Sequence, residues 1–171
     1  MLMLAEIPET LFIGQSVRHD GHALFRTMQT DRGSPIVPME KRIELPVIED
    51  FQMGYSTGLA LAGFLPVSIF PRWDFLLLAA NQLVSHLDKM PLQGSKTFKP
   101  KVIVRTTVGA TYPLHSGEQH TQDHSAAFRL MLKTVEIIEL NSKWDVVKGY
   151  QRAIDAKHSC VVVERQNLYN D

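Results

Sequence analysis

The chain has 171 residues, 44% hydrophobic and 21% charged, the composition of a globular domain with a core of its own. Its 18 Lys and Arg balance 18 Asp and Glu, leaving no long-range field to gather nucleic acid or anionic lipid, so neither is an expected partner. No apolar run approaches the roughly 18 residues of a membrane span, and Met1–Glu6 lacks the basic flank and long apolar stretch of a signal peptide.

Cys160 is the only cysteine. It lies in the apolar run Cys160–Glu164, which predicts a small buried side chain, no disulfide framework, and a reducing, cytoplasmic setting. The seven histidines are scattered, with no Cys-His spacing of the kind zinc motifs show.

In chain order, Leu11–Gly14 reads as a strand. Residues 18–42, rich in Gly, Pro, Asp and Arg, read as a long loop with one helical turn. Leu45–Ile48 is a candidate short strand. A helix of small and apolar residues follows from Phe51 to Gly63, then a strand over Leu65–Phe70. Apolar residues at 75, 76, 79, 83 and 87 keep close to a 3.6 period and predict a helix over Trp73–Lys89. Met90–Pro100 is punctuated as a loop. Lys101–Thr107 is a β-branched strand, Gly109–Asp123 a polar loop, Ser125–Lys133 a helix and Val135–Leu140 a strand. Asn141 is placed to cap a helix over Lys143–Ala156, and Ser159–Val163 is the last strand. Continuous apolar strands separated by helices predict an α/β three-layer sandwich, a mostly parallel sheet covered on both faces, forming one domain over residues 1–171. Ligands of such sheets sit beyond the carboxyl ends of the strands.

Two features lie where that edge is expected. Glu49 ends the apolar run Leu45–Ile48 and opens a helix, a place from which a carboxylate can grip a heterocycle. It is equally a place where negative charge simply favours a helix start. The second is the polar loop Glu118-Gln-His120-Thr-Gln-Asp-His124. Gly54, Gly58 and Ala62 recur every fourth residue and form one small-residue stripe on a helix. It can pack on the chain's own sheet or let another subunit's helix approach.

The order of motifs resembles the pyrimidine-binding domain of the beta subunits of pyruvate and branched-chain 2-oxoacid dehydrogenases, a branch of the transketolase-like enzymes. Pro46-Val-Ile-Glu49 is similar to that family's Pro-Ile-Ser-Glu. Gly54–Gly58 is similar to its Gly-rich helix and Gly63-Phe-Leu-Pro66 to its following turn. Phe70–Phe75, with Asn81-Gln82 and Lys89, follows its aromatic-rich segment and helix. Gln119-His120-Thr-Gln122 is similar to its Gln-His-Ser-Gln, and Asp145-Val-Val-Lys148-Gly with Val161–Glu164 to its final segment. The likeness runs from about Leu11 to Tyr169.

The resemblance implies a thiamine diphosphate-binding, pyrimidine-domain fold. It makes Glu49 the carboxylic acid that shares a proton with the aminopyrimidine ring, Phe75 the aromatic stacked on that ring, and His120 the histidine facing substrate. Trp73 is a weaker neighbour, and His115 and His124 match nothing. It also implies that the Gly54/Gly58/Ala62 helix meets a second subunit. The chain has no Gly-Asp-Gly, the signature with which the family binds diphosphate and magnesium. Those are therefore expected on an alpha-type partner, with the cofactor shared across the interface. The family's C-terminal domain has no counterpart here. Gln15-Ser16 replaces an acidic doublet and Pro71 a Met or Leu beside the pyrimidine. These departures motivate another reading, a catalytically silent interaction or regulatory protein that keeps the fold. A third reading, a flavodoxin-like binding domain with chance motif matches, would set Glu49 and His120 far apart.

Overall fold

The computed structural model describes residues 1–30, 35–93 and 99–169. Parts of two predicted loops, residues 31–34 and 94–98, lie outside them. Six strands form one sheet: β1 (Thr10–Gly14), β2 (Arg42–Glu44), β3 (Leu65–Ile69), β4 (Ile103–Val108), β5 (Glu136–Glu139) and β6 (Cys160–Arg165). Their spatial order is β2-β1-β3-β4-β6-β5, and every ladder is parallel. A flavodoxin-like sheet runs 2-1-3-4-5; here β6 is inserted between β4 and β5, so that alternative order is not the one adopted.

Parallel strands need crossover connections, and their helices cover both faces. One face packs Phe12, Val67, Ile69, Ile103, Ile138 and Val162 under α1 (Leu2–Ala5), α2 (Ala23–Arg26) and α7 (Asp145–Asp155). The other packs Val104, Val161 and Val163 under α3 (Glu49–Leu61), α4 (Trp73–Leu76) and α6 (Ser125–Met131). The expected three-layer sandwich is present. No helix among the described residues is long and apolar enough to cross a membrane.

Three expectations shift. The second strand is Arg42–Glu44 rather than Leu45–Ile48, because Pro46 has no N–H to give a ladder. The Trp73–Lys89 helix is not uniform. After α4 come a 3-10 turn, Leu77–Ala79, and a π-helical run, Gln82–Leu87, and residues Met90–Gln93 form a short helix, α5, where a loop was expected. The wider π turn ends at Asp88, fully buried, whose carboxylate accepts the N–H groups of Lys133, Thr134 and Val135. Lastly, Asn141 does not cap α7. The helix has no side-chain cap; Asp145 in its first turn instead ties down the preceding turn, accepting from Asn141 N–H and Ser142 Oγ, while the Asn141 side chain accepts from Arg165. Cys160 is buried as expected, and burial pushes its thiol up to about 12.

Burial opposes ionisation of Asp88, but the Lys89 ammonium and the N–H groups of residues 133–135 outweigh it and hold the carboxyl below its ordinary value. The stability this provides is present above the unfolded-state pKa, about 3.9, and disappears as pH falls through the lower folded value. Urea denaturation is therefore expected to show stability falling with acid below about pH 4. Asp88→Asn should be less stable at neutral pH and flatter on that acid limb; a variant with the wild-type acid limb would assign the effect to other carboxylates.

Candidate functional site

Because all six strands run the same way, every strand delivers its following residue to one edge. Four neighbouring strands in the order β2-β1-β3-β4 are followed in sequence by Glu49, Gln15, Phe75 and His120 respectively. Strand order reverses about β1, with β2 on one side and β3 on the other, which is where such sheets open a crevice. Gly14 ends β1 there. A Cβ at this position would lie 2.5 Å from the Ile69 carbonyl oxygen, so the two strand ends approach as closely as they do only with glycine.

Glu49 is the first residue of α3 and only 5% exposed. Its Oε1 accepts from Gln15 Nε2 at 3.5 Å, a long contact. An amide at position 15 can donate to Glu49, whereas the family's acid there would not. The Gln15 loop is fixed by Glu44, whose carboxylate accepts the N–H groups of Ser16, Val17 and Arg18. The inner face of α3 is polar as well as apolar. Gln52 Nε2 donates to Ser68 Oγ and Ile69 O, and Ser56 Oγ donates to Ser68 Oγ, so helix and strand are registered by buried hydrogen bonds.

Phe75 and His120 come together. Their rings meet edge to face with centroids 5.5 Å apart, a favourable aromatic geometry. Both are half-buried. The residues before Phe75 hold the loop after His120: Trp73 Nε1 donates to Ser125 Oγ, and Gln122 Nε2 donates to Asp74 Oδ1. Gly109 lets the loop after β4 fold back on its own start, since a Cβ there would meet the His120 carbonyl oxygen at 2.0 Å. Among the described residues no hydrogen bond, ion pair or ring contact joins the Glu49–Gln15 pair to the Phe75–His120 pair. His115 is exposed and bonds the Gly117 N–H, and His124 lies edge-on to Trp73.

Sequence reasoning missed Arg72, Asp74 and Gln15. Arg72 Nε, Asp74 Oδ2 and His124 Nε2 are buried without hydrogen-bond partners, and Asp74 is 7% exposed in its side chain, 3.9 Å from His124. Unpaired buried polar atoms cost about 1–3 kcal/mol each, and their concentration at one turn marks where the fold concedes stability. The signal was available, since Arg-Trp-Asp-Phe directly follows a buried strand of a parallel sheet.

A cleft of about 840 Å³ opens elsewhere, beyond β4 and β6 on the opposite face. Its floor is the buried Arg105–Glu164 ion pair at 2.6 Å, with the Tyr150 and Tyr169 hydroxyls donating to Glu164. Neither Glu49, Phe75 nor His120 lines it. The cleft's charged floor is already internally paired, and of its lining only Gln166 Nε2 is buried without a partner; the segments that carry Phe75 and His120 bring together three such atoms and are the better candidate.

No protein-family model matches the chain. A pyruvate dehydrogenase E1 beta subunit of Gracilaria tenuistipitata var. liui is 24% identical over 128 residues, 75% of this chain and 39% of that protein. A chloroplastic pyruvate dehydrogenase E1 beta-4 subunit of Oryza sativa subsp. japonica is 23% identical over 168 residues, covering 98% and 40% respectively. A 2-oxoisovalerate dehydrogenase beta subunit of Bacillus subtilis (strain 168) is 26% identical over 89 residues, 52% of this chain and 27% of its own. The chain thus spans two fifths or less of the length of these relatives. Among solved structures, a split-gene transketolase, described as an inactive beta4 tetramer, superposes with a TM-score of 0.68 at 15% identity, over 96% of this chain and 48% of its own. That likeness is one of fold, and the fold is transketolase-like.

The close approach at Gly109 yields a prediction. Gly109→Ala should lower stability by about 1–3 kcal/mol through forced displacement and accelerate amide exchange over residues 118–124. Unchanged exchange there would mean that the His120 loop is positioned by something other than this contact.

Proposed function

Starting from a transketolase-like α/β domain whose sequence relatives are beta subunits of 2-oxoacid dehydrogenases, we propose that this chain is the pyrimidine-binding part of a thiamine diphosphate-dependent enzyme acting on a 2-oxo or keto substrate. The observation that carries this reading is the buried Glu49 at the carboxyl edge of the sheet, one of four groups delivered by adjacent strands. When bound, thiamine diphosphate supplies a carbon nucleophile for attack on a 2-oxo carbon. The residues fit its aminopyrimidine end. Gln15 occupies one oxygen of Glu49, and the other has no protein partner among the described residues, free to hold a proton toward a ring nitrogen. Phe75 offers a flat ring, which covers a heterocycle's face and leaves its edges for hydrogen bonds. His120 rests against Phe75, placed to hydrogen-bond a substrate carboxylate.

The diphosphate end, with its magnesium, belongs in this reading to an alpha-type partner. The outer face of α3 supports a subunit contact. The helix buries Glu49, Gln52, Met53, Ser56 and Thr57 on its own sheet. Of the Gly54/Gly58/Ala62 stripe, Gly54 faces Gln82 of the same chain, while Gly58 and Ala62 point outward: a Cβ on Gly58 would meet nothing within 4 Å, and Ala62 is exposed. Phe51 and Tyr55 stack on the same outer side with centroids 5.7 Å apart, and Val47, Ile48, Leu61 and Phe64 are exposed around them. Such a patch marks an interaction surface.

The silent interaction or regulatory protein is the second reading. Pro71, buried where the family has Met or Leu, and Gln15, in place of an acid, favour it. Two experiments decide. With a diphosphate-binding partner present, Glu49→Ala should lower turnover by about a hundredfold or more, the scale of a lost proton-transfer group; full turnover in that variant would refute the role of Glu49. Titration calorimetry with thiamine diphosphate should show binding to the assembled pair, and no heat with or without the partner selects the silent protein. Separately, Gly58→Leu should leave the fold intact and weaken subunit association in sedimentation velocity. Wild-type association in that variant would take the stripe out of the interface.

A further inference from the structure

We propose that Glu136, His158 and Cys160 form a binding site for a borderline divalent cation, zinc by its donor chemistry, at the amino edge of the sheet, away from the Glu49 edge and independent of the thiamine reading. Glu136 opens β5 and Cys160 opens β6, and the two are partners in the parallel ladder. Paired residues on adjacent strands project from the same face. His158 lies just upstream of β6. One ligand atom from each of the three lies within 4.8 Å of the other two, and His158 Nε2 is 3.1 Å from Glu136 Oε2.

Ligand atoms around tetrahedral zinc stand about 3.5 Å apart, so closure asks for side-chain movements of roughly 1 Å. His158, 45% exposed in its side chain, has that freedom. One thiolate, one imidazole and one carboxylate suit zinc or cobalt(II), whereas calcium and magnesium need oxygen-dominated shells. Three protein ligands leave a fourth position for water on the exposed His158 side, the pattern of an open site.

The surroundings are arranged to match. Arg152 of α7 pairs with Glu136 Oε1, leaving Oε2 as the oxygen turned toward His158. An oriented carboxylate of this kind is what outer partners provide around bound metals. Burial and Glu136 disfavour the Cys160 thiolate, Lys101 and Arg152 act against them, and a bound dication would supply the remaining stabilisation; Lys101 itself is tied to the Ile154 carbonyl. Coordination involves no redox change: the Cys160 S–H proton passes to water as the sulfur–metal bond forms.

Cobalt(II) is the probe. Cys160 is the only cysteine of the chain, so any thiolate-to-cobalt charge-transfer band in the folded, chelator-treated protein reports this residue. Titration should give such a band saturating at one equivalent, bleached by added zinc. It should vanish in Cys160→Ser. Outer-partner loss alone weakens metal sites 10- to 100-fold, so losing a ligand in His158→Ala should weaken binding by at least about tenfold. His158 is exposed, so that variant tests the site even where serine at 160 disturbs the core. Absence of a sulfur band in the folded wild type, or a band of unchanged affinity in both His158→Ala and Glu136→Gln, overturns the proposal.

Discussion

A sheet whose six strands all run in one direction is the constraint from which the rest of this molecule follows. Each connection must cross a face to return, so both faces are roofed and the strands are apolar on both sides. Each strand then releases its chain at the same edge, so residues far apart in sequence become neighbours there. Glu49, Gln15, Phe75 and His120 reach one edge by this route. The opposite edge collects the strand beginnings by the same rule, which brings Glu136 and Cys160 side by side.

The buried polar groups are distributed unevenly between the two layers. Under α7, Arg105 and Glu164 form a bidentate ion pair inside the protein. Burial alone would neutralise the Glu164 carboxyl, but the adjacent guanidinium holds it well below the ordinary carboxylate value, and two tyrosine hydroxyls and Thr27 satisfy the remaining capacity. Under α3, Gln52, Ser56 and Ser68 close a neutral network. Both arrangements are satisfied and act as registration devices. Seven buried side-chain atoms among the described residues lack a hydrogen-bond partner, and three of them, on Arg72, Asp74 and His124, belong to the two segments that carry Phe75 and His120. Such a concentration is what a functional constraint on those segments produces.

Much of this was legible in the chain. Continuous β-branched strands between helical segments implied a parallel three-layer fold, and the collinear motifs pointed to its transketolase-like form. The errors were local and have local causes. Pro46 displaced the second strand, since an apolar run does not reveal which residues can donate to a ladder. Regular 3.6 spacing over Trp73–Lys89 concealed the 3-10 and π turns, because Leu83 and Leu87 stay on the core face through the wider winding. Asn141 looked like a cap, yet its side chain is taken by Arg165, 24 residues along the chain, and the helix begins without a side-chain cap. The links Asp74–Gln122 and Trp73–Ser125 span 48 and 52 residues, distances over which periodicity carries no information.

Glu49 sits beside an uncovered apolar face. Val47, Ile48 and Phe51, its immediate neighbours in sequence, are each at least half exposed. Covering them with a second chain would gain about 1 kcal/mol each from area alone. The same covering would remove water from the mouth of the Glu49 crevice, where a hydrogen bond to a ring nitrogen strengthens as the local dielectric falls. In the proposed function, association and cofactor recognition would thus be coupled through one short segment: the residues that favour assembly are those whose burial would dry the carboxylate. In the proposed enzyme, a carboxylate half-completed in the single chain and finished by its partner would account for the exposed apolar residues that flank Glu49.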